Sequence, residues 1–324
     1  MSRNTIVRML VAAGLAAGLV VSAGAQDFPS HPIMLVVPYP PGGGNDLIAR
    51  VVAARMSDAL GQPIVIENRG GAGGTIATRQ VARAAPDGYT LLVATSSLAI
   101  NPSIYPNVGY DPRKDFSPIG LMAASQNVLL VNPSVAAASV PELIARAKAE
   151  PEKLTFASTG GGNSVQLAAE LFADMAGVKL TQVPYKGNAP ALTNLLGGHV
   201  DIMFSPLPAA IGLVQDNKVR ALAVTGARRS PLFPTLPTVA EAGLPGYQSE
   251  LHYGIVAPAG VPPPVVDKLN AALRAALAAP ELAQRLATDG AEVLSSTPAA
   301  YAADIAAEET KWSALVRKVG IKAE

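Results

Sequence analysis

The sequence holds no cysteine. Disulfides, thiolate nucleophiles, cysteine-ligated zinc and a lipoprotein anchor are therefore excluded. Charge is sparse as well: 15% of the 324 residues are Asp, Glu, Lys or Arg, and the formal net charge is +1. Arg3 and Arg8 are two of the 25 basic residues and stand in a leader without acids, so a chain cut after Ala25 carries 23 basic against 24 acidic side chains. Such a near-neutral surface argues against nucleic acid as the main partner, because neutralising phosphates takes a basic face. Histidine is limited to His31, His199 and His252. None forms an H-E-x-x-H or H-x-H pair, which leaves a metal site unsupported. No G-x-S-x-G nucleophile elbow occurs. What is present is material for a core: 49% of residues are hydrophobic, with 29 Gly and 28 Pro to punctuate them. At roughly 150 residues per domain the length suggests about two domains.

The one long apolar run lies at the start. Arg3 and Arg8 form a positive segment, Met9 to Val21 is uncharged and apolar, and Ala23-Gly24-Ala25 precedes Gln26. This is the pattern of a secretory signal peptide, expected over 1–25 with cleavage after Ala25. The run is short for a membrane span, which needs about 20 apolar residues. The mature protein is expected to be exported, to the periplasm in a Gram-negative cell.

After the leader the pattern alternates. Pro32 to Pro38 reads as a buried strand, and Leu47, Ile48, Val51, Val52 and Leu60 fall on one helical face before Gly61. Ile64 to Ile66, a helix from Thr75 and a strand from Tyr89 to Ala94 continue the alternation. A loop-rich stretch from Asn101 to Ser117 interrupts it. The pattern then restarts: strand Asn127 to Val131, helix Val140 to Ala149 capped by Ser139, strand Leu154 to Ala157, helix from Val165, strand Leu180 to Val183, helix near Ala191, strands Val200 to Phe204 and Arg220 to Val224. A short helical piece is expected near Val239, a strand at Tyr253 to Ala257, and helices at 264–277, 280–287 and 298–319. Alternating β and α predicts mainly parallel sheets flanked by helices. The simplest organisation is two α/β lobes, with 26–124 and 249–324 in lobe 1 and 125–248 in lobe 2.

Two strand–glycine loop–helix units stand out, Val36 to Asp46 and Leu154 to Ser164. The first turn of a helix leaves N–H groups unpaired, its dipole adds positive potential, and glycine admits a close ligand. Each unit can hold an anionic oxygen without a basic side chain. Gly42 to Leu47 is neither a Walker loop nor a G-x-G-x-x-G fingerprint, no Lys or Arg lies in either loop, and Asp46 would repel a polyphosphate. A carboxylate suits these loops better than a nucleotide. Lys186 is the one basic residue of a candidate cleft loop, and Tyr39 and Tyr185 are candidates for its walls. Ser158 and Ser164 would be the nucleophiles of a hydrolase, but the sequence supplies no partner base.

The segments Ile33-Met-Leu-Val-Val-Pro-Tyr-Pro-Pro-Gly-Gly-Gly-Asn-Asp46, Leu60-Gly-Gln-Pro-Ile-Val-Ile-Glu-Asn-Arg-Gly-Gly-Ala-Gly-Gly74 and Ala85-Pro-Asp-Gly-Tyr-Thr-Leu-Leu92 resemble the Bug proteins. These are the periplasmic solute receptors of tripartite tricarboxylate transporters. Tyr110-Asp-Pro-Arg-Lys-Asp-Phe116, Val183-Pro-Tyr-Lys-Gly187, Leu195-Leu-Gly-Gly-His-Val-Asp-Ile-Met-Phe204 and Pro237-Thr-Val-Ala-Glu-Ala-Gly-Leu-Pro245 extend the match, in order, over nearly all of the mature chain.

The resemblance implies a two-lobed Venus-flytrap fold of the type II binding proteins. It implies a small organic acid held between lobes, a membrane permease as partner, a monomer, no cofactor and no catalysis. Carried over residue by residue, it points to Gly42, Gly43, Gly44, Asp46, Ser96 and Ser97 in lobe 1. In lobe 2 it points to Ser158, Gly160, Gly162, Asn163, Ser164, Lys186 and Gly187, with Asp201 and Phe204 in a matching stretch. Asn45 stands where Thr or Ser is common, Gln166 replaces a frequent His, Ser205-Pro206 replaces Asp-Asn, and His252 stands near a frequent Trp. These departures bear on which acid is bound. A sensory module that reports to a membrane kinase needs the same cleft, so the sequence leaves that alternative open.

Overall fold

A computed structural model describes residues 28–159, 163–288 and 290–321. The leader expected over 1–25 and the glycines 160–162 lie outside the described residues. Ile33–Val37 forms β1, an apolar run between two prolines. In α1 (Gly44–Leu60), Ile48, Val52, Met56 and Leu60 recur every four residues as the buried stripe. Gly61 ends the helix in the left-handed conformation, φ 68°, with its N–H on the Ser57 carbonyl. β2 (Ile64–Asn68), α2 (Thr75–Ala82) and β3 (Thr90–Thr95) repeat the unit. β1 pairs in parallel with both β2 and β3.

α3 (Ser97–Ile104) overlaps ground that reads as loop in the sequence, because Pro102 lies inside it. Proline cannot donate to the Leu98 carbonyl one turn back. The Tyr110 hydroxyl donates to that carbonyl instead, at 3.3 Å. β4 (Phe116–Val131) is 16 residues long, where only Asn127 to Val131 is expected. Pro118 and Gly120 break the apolar pattern of its first half, and its ladder shifts register at Pro118/Gly120 and Leu121/Ala123.

α4 (Val140–Ala149), β5 (Thr155–Ser158), α5 (Ser164–Ala176), β6 (Thr181–Pro184), α6 (Asn188–Leu196), β7 (Ile202–Pro206), α7 (Leu207–Gln215) and β8 (Arg220–Val224) build a second α/β unit. β5 pairs in parallel with β6 and β7. α7 is not expected from the sequence, since Pro206 and Pro208 bracket its start. Prolines suit a first helical turn, where N–H groups have no partner to lose. The helical piece expected near Val239 is a single turn, with the Ala242 N–H on the Thr238 carbonyl at 2.9 Å. β9 (Glu250–Pro258), α8 (Pro263–Leu277), α9 (Pro280–Thr288), β10 (Ala291–Val293) and α10 (Pro298–Val319) complete the chain.

The strands follow the order β2-β1-β3-β9-β4-β7-β5-β6, with β8 and β10 also on β4. β4 serves two sheets. Its residues 116–126 pair antiparallel with β9, and 127–131 pair antiparallel with β7 and β8. The result is a two-lobed α/β fold with a parallel three-stranded heart in each lobe and β4 running through both. One core lies under α1, α8 and α9, another on the opposite face of the first sheet, and two more on the faces of the second sheet. α10 touches both lobes. Its Trp312, Leu315 and Val316 pack with Ile100 and Ile104 of α3 and with Leu167 of α5, and Lys318 pairs with Asp174 of α5. Among the described residues no helix is long and apolar enough to cross a membrane.

Candidate functional site

Loops at the carboxyl ends of parallel strands are where open α/β sheets gather ligands. In this fold β1, β3, β5, β6 and β7 all lead into helices: α1, α3, α5, α6 and α7. The cleft between the lobes holds two connected spaces. The inner one, about 240 Å³, is lined by Tyr39, Thr95, Ser97, Ile100, Asn163, Leu167 and Trp312 among others. The second, about 430 Å³, has Gly44, Ile48, Asn127, Asn188 and Pro206 in its walls. Asn45, Ser164 and Leu251 line both.

The β1–α1 loop is held open from behind. Gly42 has φ +84°, which favours glycine. Gly43 caps α1 without a side-chain hydrogen bond. The Asp46 side chain turns back and accepts the Gly42 N–H, the Arg50 Nε–H and the Asn68 Nδ2–H, each at 2.9 Å. The Arg50 bond holds the Asp46 carboxyl well below the usual range, at about 2, and Gly42 and Asn68 add to the effect. Asp46 is buried, so it braces the loop rather than facing the cleft. The cause is its place in the first turn, where an acidic side chain reaches the preceding amides. Among the described residues, the Gly43, Gly44 and Asn45 amides have no acceptor. A Cβ on Gly42 or Gly44 would meet nothing within 4 Å.

Beside this loop lies a triangle of hydroxyls. Tyr39 Oη is 2.7 Å from Ser97 Oγ and 3.0 Å from Thr95 Oγ1, and the last two are 2.6 Å apart. Each hydroxyl both donates and accepts, so the triangle can turn a proton toward a bound oxygen. Ser96 is committed elsewhere: its N–H donates to the His252 carbonyl at 3.1 Å, and its Oγ accepts the His252 N–H at 3.0 Å. In lobe 2, Asn163 Oδ1 accepts the Val165 and Gln166 amides, both at 3.1 Å, and so caps α5. The start of α6 has no side-chain cap. Gly187 stands before it at φ +110°, and Asn188 Oδ1 is buried without a hydrogen-bond partner among the described residues.

A charged cluster backs the inner space. His252 Nδ1 lies 3.0 Å from Asp304, and its Nε2 lies 3.7 Å from Glu250. Burial opposes the charged imidazole, but the hydrogen bonds to Asp304 and Glu250 outweigh it and raise the His252 pKa to about 10. Burial works against ionised Glu250 too, yet its bonds to His252, Gln248 and the Ala227 amide keep the carboxyl below its usual value. Burial pushes the Lys311 amine down, and Lys311 donates to the Gln248 carbonyl at 2.6 Å. Among the described residues no cluster of three or more His, Asp or Glu is arranged to hold a metal ion.

The model of the tripartite tricarboxylate transporter family receptor matches residues 48–321. The chain belongs to this receptor family. It is similar to protein BugT of Bordetella pertussis, 37% identical over 98% of this chain and 99% of that one. Among solved structures, R. palustris Rpa4515 with adipate is 38% identical, with a TM-score of 0.77 over 92% of this chain and 100% of that one. MatC of Rhodopseudomonas palustris, with bound malate, is 36% identical, with a TM-score of 0.72 over 89% and 100%.

Within this receptor fold the expected site residues that are described part into three groups. Tyr39, Ser96, Ser97, Asn163 and Ser164 line the inner space, and Gly44 lines the second. Gly42, Gly43 and Gly187 shape the helix starts beside them. Four others stand apart from both spaces. Asp46 is the brace just described. Phe204 is fully buried, 5.7 Å from the Phe172 ring; it sits two residues short of the end of β7, inside the core rather than at the ligand edge. Ser158 is fully buried as the last residue of β5. Lys186 is exposed in the loop before α6. Gly160 and Gly162 lie outside the described residues. Asp201 accepts the Thr155 amide and hydroxyl, both at 2.8 Å, and ties β7 to β5. Gln166 is buried without lining the cleft. Asn45, Asn188, Glu250, Leu167 and Trp312 also line the two spaces and are not among the site residues expected from the sequence. Asn45 and Asn188 were detectable in principle, since each directly follows a glycine in a cleft loop.

Proposed function

We propose that the protein is a periplasmic solute receptor that closes its lobes on a small carboxylate and presents it to the membrane permease of a tripartite tricarboxylate transporter. The observation that carries this reading is the pair of uncapped helix starts, Gly43–Asn45 from lobe 1 and Gly187–Asn188 from lobe 2, at a cleft lined by no Lys, Arg or His among the described residues. Such donors bind an anion through main-chain N–H groups and dipole. Hydrogen bonds to a charged group contribute about 1.5–3 kcal/mol each. Four or five of them, less the cost of ordering, correspond to roughly micromolar affinity. The relatives solved with adipate and malate support a carboxylate as the class. In this reading lobe 1 comprises 26–124 and 249–324, lobe 2 comprises 125–248, and the strands β4 and β9 carry the hinge. No step of the proposed cycle makes or breaks a covalent bond.

Ligand affinity couples to stability, because a solute that binds only the folded state raises its melting temperature. Protein stripped of carried-over solute by unfolding and refolding is expected to melt several degrees higher with at least one member of a panel of mono-, di- and tricarboxylates. No stabilisation by any acid in the panel would overturn the reading.

A further inference from the structure

We propose that the ligand of this cleft is a monocarboxylate with an apolar body, an aryl- or alkyl-acid, rather than a dicarboxylate. The inference rests on the carboxylate reading and adds the direction in which the acid lies. Its carboxylate sits where Asn45 and Ser164 join the two spaces, near the open α1 amides and the Tyr39–Thr95–Ser97 hydroxyls. Its body enters the inner space.

Three observations carry this. First, the lining of the inner space includes Ile100, Leu167 and Trp312, which are 5%, 1% and 2% exposed and belong to one apolar cluster. An apolar body placed there leaves water without leaving a polar group unpaired. Second, Trp312 has no donor to offer. Its Nε1–H is given to Glu308 Oε2 at 2.8 Å, so the indole meets a ligand only with ring carbon. Third, among the described residues the one charged side chain lining the inner space is that of Glu250.

The charges behind that wall do not reverse its sign. His252 and Lys311 are matched against Glu250, Asp304 and Glu308, two cations facing three carboxylates. Lys311 lies 4.4 Å over the Trp312 ring with its amine on the Gln248 carbonyl, and it does not line the space. A second carboxylate inside this space would meet a like charge and, among the described lining residues, no cationic partner. Repulsion of this kind rejects a wrong ligand even where the shape admits it.

Hexanoate, adipate and phenylacetate test the idea by calorimetry on solute-free protein. Hexanoate and adipate share a six-carbon chain and differ only in the distal group. Hexanoate and phenylacetate are expected to bind at least tenfold more tightly than adipate. Glu250→Gln keeps an acceptor for the Ala227 amide and removes the charge, and it is expected to narrow the hexanoate-to-adipate ratio at least threefold by improving adipate. Adipate binding as tightly as hexanoate, or more tightly, in the parent protein overturns the inference and leaves the carboxylate reading standing. Binding of none of the three acids overturns the inference, and a blank across the wider panel of acids overturns the carboxylate reading with it. The comparison in the parent protein decides the matter even if the Glu250→Gln variant does not fold.

Discussion

A Gly43→Asp variant is expected to bind its carboxylate solute at least about a hundredfold more weakly than the parent while melting at the same temperature or slightly above it. The two effects share one cause. Gly43 is the N-cap of α1, with φ −80° and ψ 167° and no side-chain hydrogen bond. Those angles are open to any residue, and a Cβ there would meet only the Pro40 carbonyl oxygen, at 4.0 Å. Aspartate is among the best N-cap residues and accepts from amides two or three positions on. The new carboxylate would therefore occupy the donors the solute needs and repel the solute's own charge. A hundredfold loss corresponds to about 2.7 kcal/mol, within the reach of one or two charge-assisted hydrogen bonds. Calorimetry for binding and a thermal melt for folding check it. Unchanged affinity in a folded variant would remove the α1 start from the site.

The second large effect concerns His252. Its pKa of about 10 stands above the reference value of 6.5, so the folded protein holds a proton that the unfolded chain releases. The stabilisation is complete below pH 6.5 and fades as pH rises toward 10. Burial opposes the charged ring, and Asp304 and Glu308 of α10 with Glu250 of β9 supply the attraction that outweighs it. His252→Gln is expected to cost about 2–4 kcal/mol at pH 6, with the gap between parent and variant closing by pH 10. Denaturant melts of both proteins across that range test this. A gap of constant size would mean that the imidazole acts by packing rather than by charge.

Residue spacing alone exposes some parts of this fold and hides others. The β1–α1 unit is plain because an apolar run, a glycine loop and a four-residue apolar period follow one another without interruption. α3 and α7 are hidden by Pro102 and by Pro206 with Pro208, residues that mark loops in general and here stand inside or at the head of helices. The first half of β4 is hidden because its register shifts break the alternation that marks a strand. At the cleft, the glycine loops mark the helix starts that border it but not the facing of individual side chains. Asp46 looks like a cleft residue because it ends a glycine loop, and only the backward turn of its carboxylate shows that it serves the loop. Phe204 belongs to a stretch that matches the family and is nevertheless core. Trp312 and Glu250 reach the inner space from segments far along the chain, and no local pattern announces a meeting set by tertiary packing.

The placement of Trp312 has a practical consequence. It is the chain's single tryptophan, and it packs with Leu167 from one lobe and Ile100 from the other. Parting the lobes would strip one side of the indole and wet it. Its emission colour should therefore serve as a built-in optical gauge of opening, readable without any label and blue-shifted whenever the jaws are shut.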